Sequence, residues 1–122
     1  MRVLLSIKPE FAEKIFDGTK LYEFRRSVFK NKNVKTVIVY ASSPTKKVIG
    51  EFDIDIILND DLDNLWANTK YAAGISEDFF FSYFRNKQKG YAIKVKHTKR
   101  YKTPKCLRND FNAHPPQSFI YV

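Results

Sequence analysis

The sequence predicts one α+β domain built of about six strands and about three short helices. Three observations carry that expectation. A chain of 122 residues has the length of one domain. Its 43% hydrophobic and 16% aromatic content is enough to fill a core and too high for a disordered basic tail. Along the chain, apolar residues switch between the alternating spacing of strands and the three-and-four spacing of helices.

The elements follow in order. Val3 to Ile7 is an apolar run short enough for a buried strand. Pro9 suits the first position of a helix that carries Phe11, Ala12, Ile15 and Phe16 on one side, and Gly18 stops it. Lys20 to Arg26 has strand character, with Tyr22 and Phe24 on one face and Leu21, Glu23 and Arg25 on the other; Lys20 sits at the turn, which leaves its direction open. A polar loop from Ser27 to Lys32 leads to the β-branched run Val34 to Tyr40, closed by Ala41-Ser42-Ser43-Pro44. A second long strand alternates Phe52, Ile54, Ile56 and Leu58 with Glu51, Asp53, Asp55 and Ile57, giving an apolar and a mostly acidic face. Asp60 or Asp61 caps a helix with Leu62, Leu65, Trp66 and Thr69 on one side, ending near Gly74. Ser76 caps the next, with Glu77 and Asp78 in its first turn, Phe79, Phe80, Tyr83 and Phe84 to bury, and Gly90 to break it. From Tyr91 an alternating strand with a basic outer face runs towards Tyr101. Thr103 to Pro116 reads as irregular, and Gln117 to Val122 as a terminal strand with Phe119 and Tyr121 on one face.

Composition excludes several classes. No apolar run approaches the roughly 20 residues of a membrane span, and the start breaks at Lys8-Pro9, too soon for a signal peptide; a cytoplasmic protein with no membrane partner is expected. The lone Cys106 makes no internal disulfide, and with two scattered histidines it makes no zinc site of the usual ligand count. No metal and no cofactor are therefore expected. Sequence does not fix the oligomeric state beyond a monomer or weak dimer.

The charge is strongly basic and uneven. Twenty-two Lys and Arg against thirteen Asp and Glu leave +9. Residues 51–78 hold eight carboxylates and one lysine, a net of −7, so the remainder carries +16. Segregation of that kind produces a directed field, and clustered Lys and Arg gain affinity for a phosphate-bearing partner by releasing counterions. Two solvated faces of opposite sign remain the plainer alternative. The densest basic run is Lys94, Lys96, Lys99, Arg100 and Lys102; it reads either as a phosphate-tracking surface or as a solvated edge that resists aggregation.

The most informative segment is Gly18-Thr19-Lys20-Leu21-Tyr22-Glu23-Phe24-Arg25-Arg26. A glycine lets the chain turn off a helix, and an ammonium, a carboxylate and two guanidiniums follow within one short stretch. That set suits a charged or hydrogen-bonding ligand, or else a strand whose surface charges pair with one another. Ser42 and Ser43, at a strand end before Pro44, offer hydroxyls and amides to an anion or form a plain turn. Tyr22, Tyr40, Trp66 and Tyr91 are candidates to stack a base, although Trp66 shares its helical spacing with core leucines. In Phe79-Phe80-Phe81 not every ring can face inward on one helix, and Phe81 is expected to be the exposed one.

Gly18-x-Lys20-x-x-Glu23-x-Arg25 matches the signature of the ASCH domain, a member of the PUA-like superfamily. The blocks Leu5 to Ala12, Val39 to Pro44, Ile49 to Phe52, Gly90 to Ile93 and Pro115 to Phe119 resemble the same family, so the similarity spans essentially the whole chain, residues 1–122. The resemblance implies a closed or nearly closed small β-barrel flanked by helices, with a cleft lined by Lys20, Glu23 and Arg25. It also implies recognition of RNA, single-stranded nucleic acid or a nucleoside-like small molecule. Physically, Lys20 and Arg25 would hold phosphate while Glu23 accepts a base or ribose donor or orients Arg25. Arg26 lies outside the signature, at the binding cleft or on the barrel rim.

Some superfamily members are amidohydrolases of modified nucleosides and others are linked to RNA cleavage. The hydrolases place a threonine three residues after the lysine, where this chain has Glu23, so the hydroxyl nucleophile is gone. A catalytic reading survives with Lys20 desolvated beside Arg25 and Glu23 or Glu51 moving protons. The first reading is therefore a binding module, and the second a small hydrolase acting on a modified nucleoside or on RNA.

Overall fold

The computed structural model describes all 122 residues. Strands β1 (Arg2–Ile7), β2 (Tyr22–Arg25), β3 (Thr36–Ala41), β4 (Lys47–Asp61), β5 (Lys89–Lys105) and β6 (Phe119–Tyr121) form one six-stranded sheet in the order β2-β5-β4-β3-β1-β6. β1 and β3 run parallel and the other neighbours antiparallel. The sheet curls into a half-barrel of the small α+β, PUA-like kind. Around it lie α1 (Pro9–Phe16), α2 (Leu62–Thr69), α3 (Glu77–Tyr83) and α4 (Leu107–Phe111), with one 3-10 turn at Lys70–Ala72.

The caps act as their residue types dictate. Pro9 opens α1, Asp61 accepts from the Asn64 amide to start α2, and Ser76 accepts from the Phe79 amide to start α3. Gly18, at φ +88°, takes the left-handed conformation that ends α1.

Three apolar clusters lock the sheet. Val3, Leu5 and Ile7 of β1 pack with Val37 and Val39 of β3, Phe52 of β4, Ile93 of β5 and Ile15 of α1 on the inner face. Leu4 and Ile38 point the other way and meet Leu107 of α4. Tyr22 and Phe24 of β2 pack on Leu65 of α2 and on Phe80 and Phe84 of α3.

Four details differ from the sequence reading. In β4 the alternation breaks at a bulge between Ile54 and Ile57, so Ile57 turns to the inner core while Ile56 lies exposed. In β5 a second irregularity falls where His97 adopts φ +50°, and the strand runs on to Lys105. Helix α3 stops at Tyr83, well before Gly90, which lies inside β5 under the Phe84 ring. The segment read as irregular holds α4, a fourth short helix.

Candidate functional site

The signature segment is inserted, not laid on the surface. After Gly18, the amides of Thr19 and Lys20 both donate to the Lys14 carbonyl, and the Leu21 amide donates to Ala72 in the α2–α3 connection. That connection closes over Lys20. The lysine is 1% exposed, the largest fully buried side chain of the molecule. Gly74, at φ +69°, makes this closure possible: a Cβ there would lie 2.6 Å from Lys20 Cγ.

The buried ammonium is partly compensated. Lys20 Nζ donates to the Ala73 carbonyl at 2.7 Å and lies 4.8 and 5.3 Å from the Phe24 and Phe11 ring centroids. Burial nevertheless pulls its pKa down to about 8, against the attraction of Glu23. Glu23, 6% exposed, moves the opposite way: burial raises its pKa, opposed by Arg25 and Lys20. No direct ion pair joins the two; Glu23 pairs with Arg25 at 3.2 Å.

Both groups face one cavity of about 300 Å³ at the end of the half-barrel where β1 meets α1. Phe11, Phe24, Ile75 and Phe79 give it apolar walls; Ser6, Lys8, Tyr83 and Gln117 add polar groups around them. Phe11 and Phe79 meet edge to face at 5.4 Å, with Lys8 Nζ 5.9 and 5.6 Å from their centroids. Burial raises the pKa of the Tyr83 phenol. The cavity thus joins an ammonium whose pKa is lowered to about 8 and a carboxyl whose pKa is raised, a pairing typical of sites that move protons.

Arg25 lines the same cavity as Lys20 and Glu23, and its guanidinium is also tied into the fold. Its guanidinium donates to Glu23, to the Ser6 carbonyl at 3.3 Å and to the Ser118 carbonyl at 2.9 Å. β2 and β6 are the two edges of the sheet, so Arg25 on β2 reaches the chain entering β6 and latches the open seam. Ser6 Oγ holds the same segment by donating to the Pro116 carbonyl at 2.8 Å.

The other expected residues lie elsewhere. Arg26 donates to the Tyr83 and Arg85 carbonyls and so closes the end of α3. The Ser42 amide donates to Ile7, its carbonyl accepts from Thr45 and Lys46, and neither Ser42 nor Ser43 lines the cavity; together they form a turn. Lys94 pairs with Asp55 at 3.8 Å and Lys96 is exposed on the sheet, both outside the cavity. Glu51 accepts from the Tyr101 hydroxyl, away from the site. None of Tyr22, Tyr40, Trp66 and Tyr91 lines the cavity.

The aromatic wall and Lys8 and Gln117 escaped the sequence reading. One signal was present: three successive phenylalanines require one ring to leave the core. It is Phe79 that opens to the cavity, while Phe81 packs beside Phe80 at 5.0 Å.

Fold and site define a class of small α+β proteins in which a half-barrel sheet buries a lysine and a glutamate at the floor of an aromatic cleft. The ASCH domain pattern matches residues 5–105, and the chain belongs to the ASCH domain family. It is 30% identical over 124 residues to an ASCH domain-containing ribonuclease of Zymomonas mobilis, covering 98% of this chain and 82% of the relative. The crystal structure of ASCH from Zymomonas mobilis superposes with a TM-score of 0.90 at 30% identity, over 99% of this chain and 87% of that one. The large ribosomal subunit protein uL22 of Ureaplasma parvum is 31% identical over 121 residues; the chain spans 98% of its own length there but only 39% of the relative's.

Proposed function

We propose that residues 1–122 act as one ASCH unit that binds RNA by admitting a single unpaired nucleotide into the cavity over Lys20 and Glu23. The observation that carries this reading is the cavity itself, about 300 Å³ with apolar walls and convergent polar atoms. That size lies at the small end of ligand pockets, where one base or nucleoside is held rather than a long strand. Phe79 offers a face for stacking, Ser6, Tyr83 and Gln117 offer hydrogen bonds, and Lys8 at the rim offers charge. The net charge of +9 and the 30% identical ribonuclease support RNA as the partner class.

The test is binding of a short single-stranded RNA at low salt, followed by fluorescence anisotropy. Stacking contributes about 1–3 kcal/mol per base, so Phe79→Ala should weaken binding by roughly tenfold or more while circular dichroism stays unchanged. Wild-type affinity in that variant would remove the cavity from the reading.

The opposed shifts of Lys20 and Glu23 favour a second reading at the same place, ribonuclease activity. The neutral Lys20 amine takes the proton of a ribose 2′-hydroxyl, the 2′ oxygen bonds to phosphorus, and the bond to the 5′ oxygen breaks. A proton carried on Glu23, whose pKa burial raises, passes to the leaving oxygen, so the products are a 2′,3′-cyclic phosphate and a 5′-hydroxyl. Lys20→Met should then lower the cleavage rate by about 10²–10⁴ with binding retained. Cleavage at the wild-type rate in that variant would assign catalysis elsewhere.

A further inference from the structure

Phe79 and Tyr83 form a shared wall. One side closes the cavity over Lys20 and Glu23; the other borders an open groove at the end of α3 that also includes Arg26, Ser82, Arg85 and Asn86. The groove carries two guanidiniums and no carboxylate. Arg26 is fixed there, because one terminal nitrogen donates to the Tyr83 carbonyl at 2.8 Å and to the Arg85 carbonyl at 2.9 Å. Neither bond uses its second terminal nitrogen or Nε. Arg85 is exposed and no carboxylate lies within ion-pair distance of it, while the Ser82 hydroxyl is exposed beside it. Asn86, at φ +65°, turns the chain away so that Lys87 bonds back to Phe84 and the groove stays open.

We propose that this groove is a phosphodiester subsite, in which Arg85 and Arg26 hold the phosphate that flanks the nucleotide in the cavity and Ser82 adds a neutral donor. The proposal rests on reading the cavity as a nucleotide site. Planar guanidinium forks match phosphate oxygens, and a guanidinium already anchored to carbonyls loses little freedom on binding. Because the two sites share Phe79 and Tyr83, a strand whose base enters the cavity carries its next phosphate over that wall. Recognition then extends past one nucleotide, and a nucleoside lacking the phosphate binds more weakly than a strand.

The experiment follows amide signals of the isotopically labelled full chain during titration with three probes: inorganic phosphate, adenosine, and a mixed-sequence 2′-O-methyl RNA octamer that resists cleavage. The octamer should shift signals of residues 82–86, and phosphate should shift the same set. Arg85→Ala should weaken octamer affinity about tenfold and flatten the dependence of log affinity on log salt by about 0.7, the value of one phosphate contact on a single strand. Adenosine affinity should stay at the wild-type value. Octamer binding without movement at 82–86, or wild-type affinity and salt slope in Arg85→Ala, overturns the subsite. Shifts with phosphate but none with the octamer mark a free-anion site and overturn the phosphodiester assignment. If Arg85→Ala weakens the octamer while signals of Lys20 and Gln117, which line the cavity and not the groove, stay still on octamer binding, the groove stands as a phosphate site and the cavity reading falls.

Discussion

At the scale of the residue, Lys20 is the most unusual feature of the molecule. A lysine ammonium at 1% exposure, with one carbonyl acceptor and two aromatic faces, loses more hydration than those contacts return, and its pKa falls to about 8. The consequence for stability has a definite sign. Between pH 8 and about 10.5 the unfolded chain holds the Lys20 proton and the folded chain has released it, so stability rises with pH across that window. A displacement from 10.5 to about 8 corresponds to about 3 kcal/mol at full development. Glu23 works in the opposite sense at lower pH, since its raised pKa makes stability fall as pH climbs through the window above 4.5. Urea melts at pH 7.5, 8.5 and 9.5 should show the wild type gaining on Lys20→Met at each step. Parallel curves would mean that Lys20 is charged and well solvated in the folded protein. Sequence placed this lysine at a turn and left its direction open. Its burial depends on Gly74, 54 residues further along the chain, and no local pattern reports that.

At the scale of the element, the seam between β2 and β6 is bridged by a side chain and not by a backbone ladder. Arg25 serves two ends at once: it pairs the buried Glu23 and holds the Ser118 carbonyl, so one guanidinium joins the floor of the cavity to the segment carrying Gln117, which Ser6 also holds at Pro116. Removing it leaves Glu23 buried and unpaired. Arg25→Met should cost about 3 kcal/mol in a urea melt, and adding Glu23→Gln should recover part of that. Hydrogen exchange at Gln117 to Phe119 should rise in Arg25→Met and stay high in the double variant, because the charge is relieved but the latch is not. Unaltered protection there would leave Arg25 as a partner of Glu23 and nothing more. The strands themselves were legible, because β1, β3 and the first half of β5 are apolar runs or alternations whose period is local. The bulges after Ile54 and near His97 were not, since an extra residue is set by the facing strand and leaves the composition unchanged. Helix α4 was too short, at Leu107–Phe111, to complete two turns of periodicity. The cavity was legible only at its floor, where the signature lies; Lys8, Phe79 and Gln117 arrive from three distant segments and look like core or loop residues in isolation.

At the scale of the whole molecule, the uneven charge of the sequence is folded back upon itself. The acidic block begins in β4 and the basic run lies in β5, and these two are sheet neighbours. Their register sets Glu51 opposite Lys99 and Asp53 opposite Lys96. Asp55 pairs with Lys94 at 3.8 Å, Asp53 lies 3.5 Å from His97, and Glu13 takes both terminal nitrogens of Arg100. Cations so placed already have counter-charges and release fewer bound ions when a polyanion approaches. Lys8 differs: it is exposed at the cavity rim beside two aromatic rings, with no carboxylate in ion-pair distance. The salt dependence of RNA binding should therefore discriminate between them. Lys8→Ala should flatten the slope of log affinity against log salt by about 0.7, and Lys94→Ala, which leaves Asp55 exposed and unpaired, should leave that slope unchanged within error. Lys96→Ala should resemble Lys94→Ala, because Asp53 faces it across the ladder. A larger loss from the Lys94 and Lys96 variants than from Lys8→Ala would place the strand on the sheet surface and away from the cavity mouth, since polyelectrolyte contacts are counted where the phosphates actually lie.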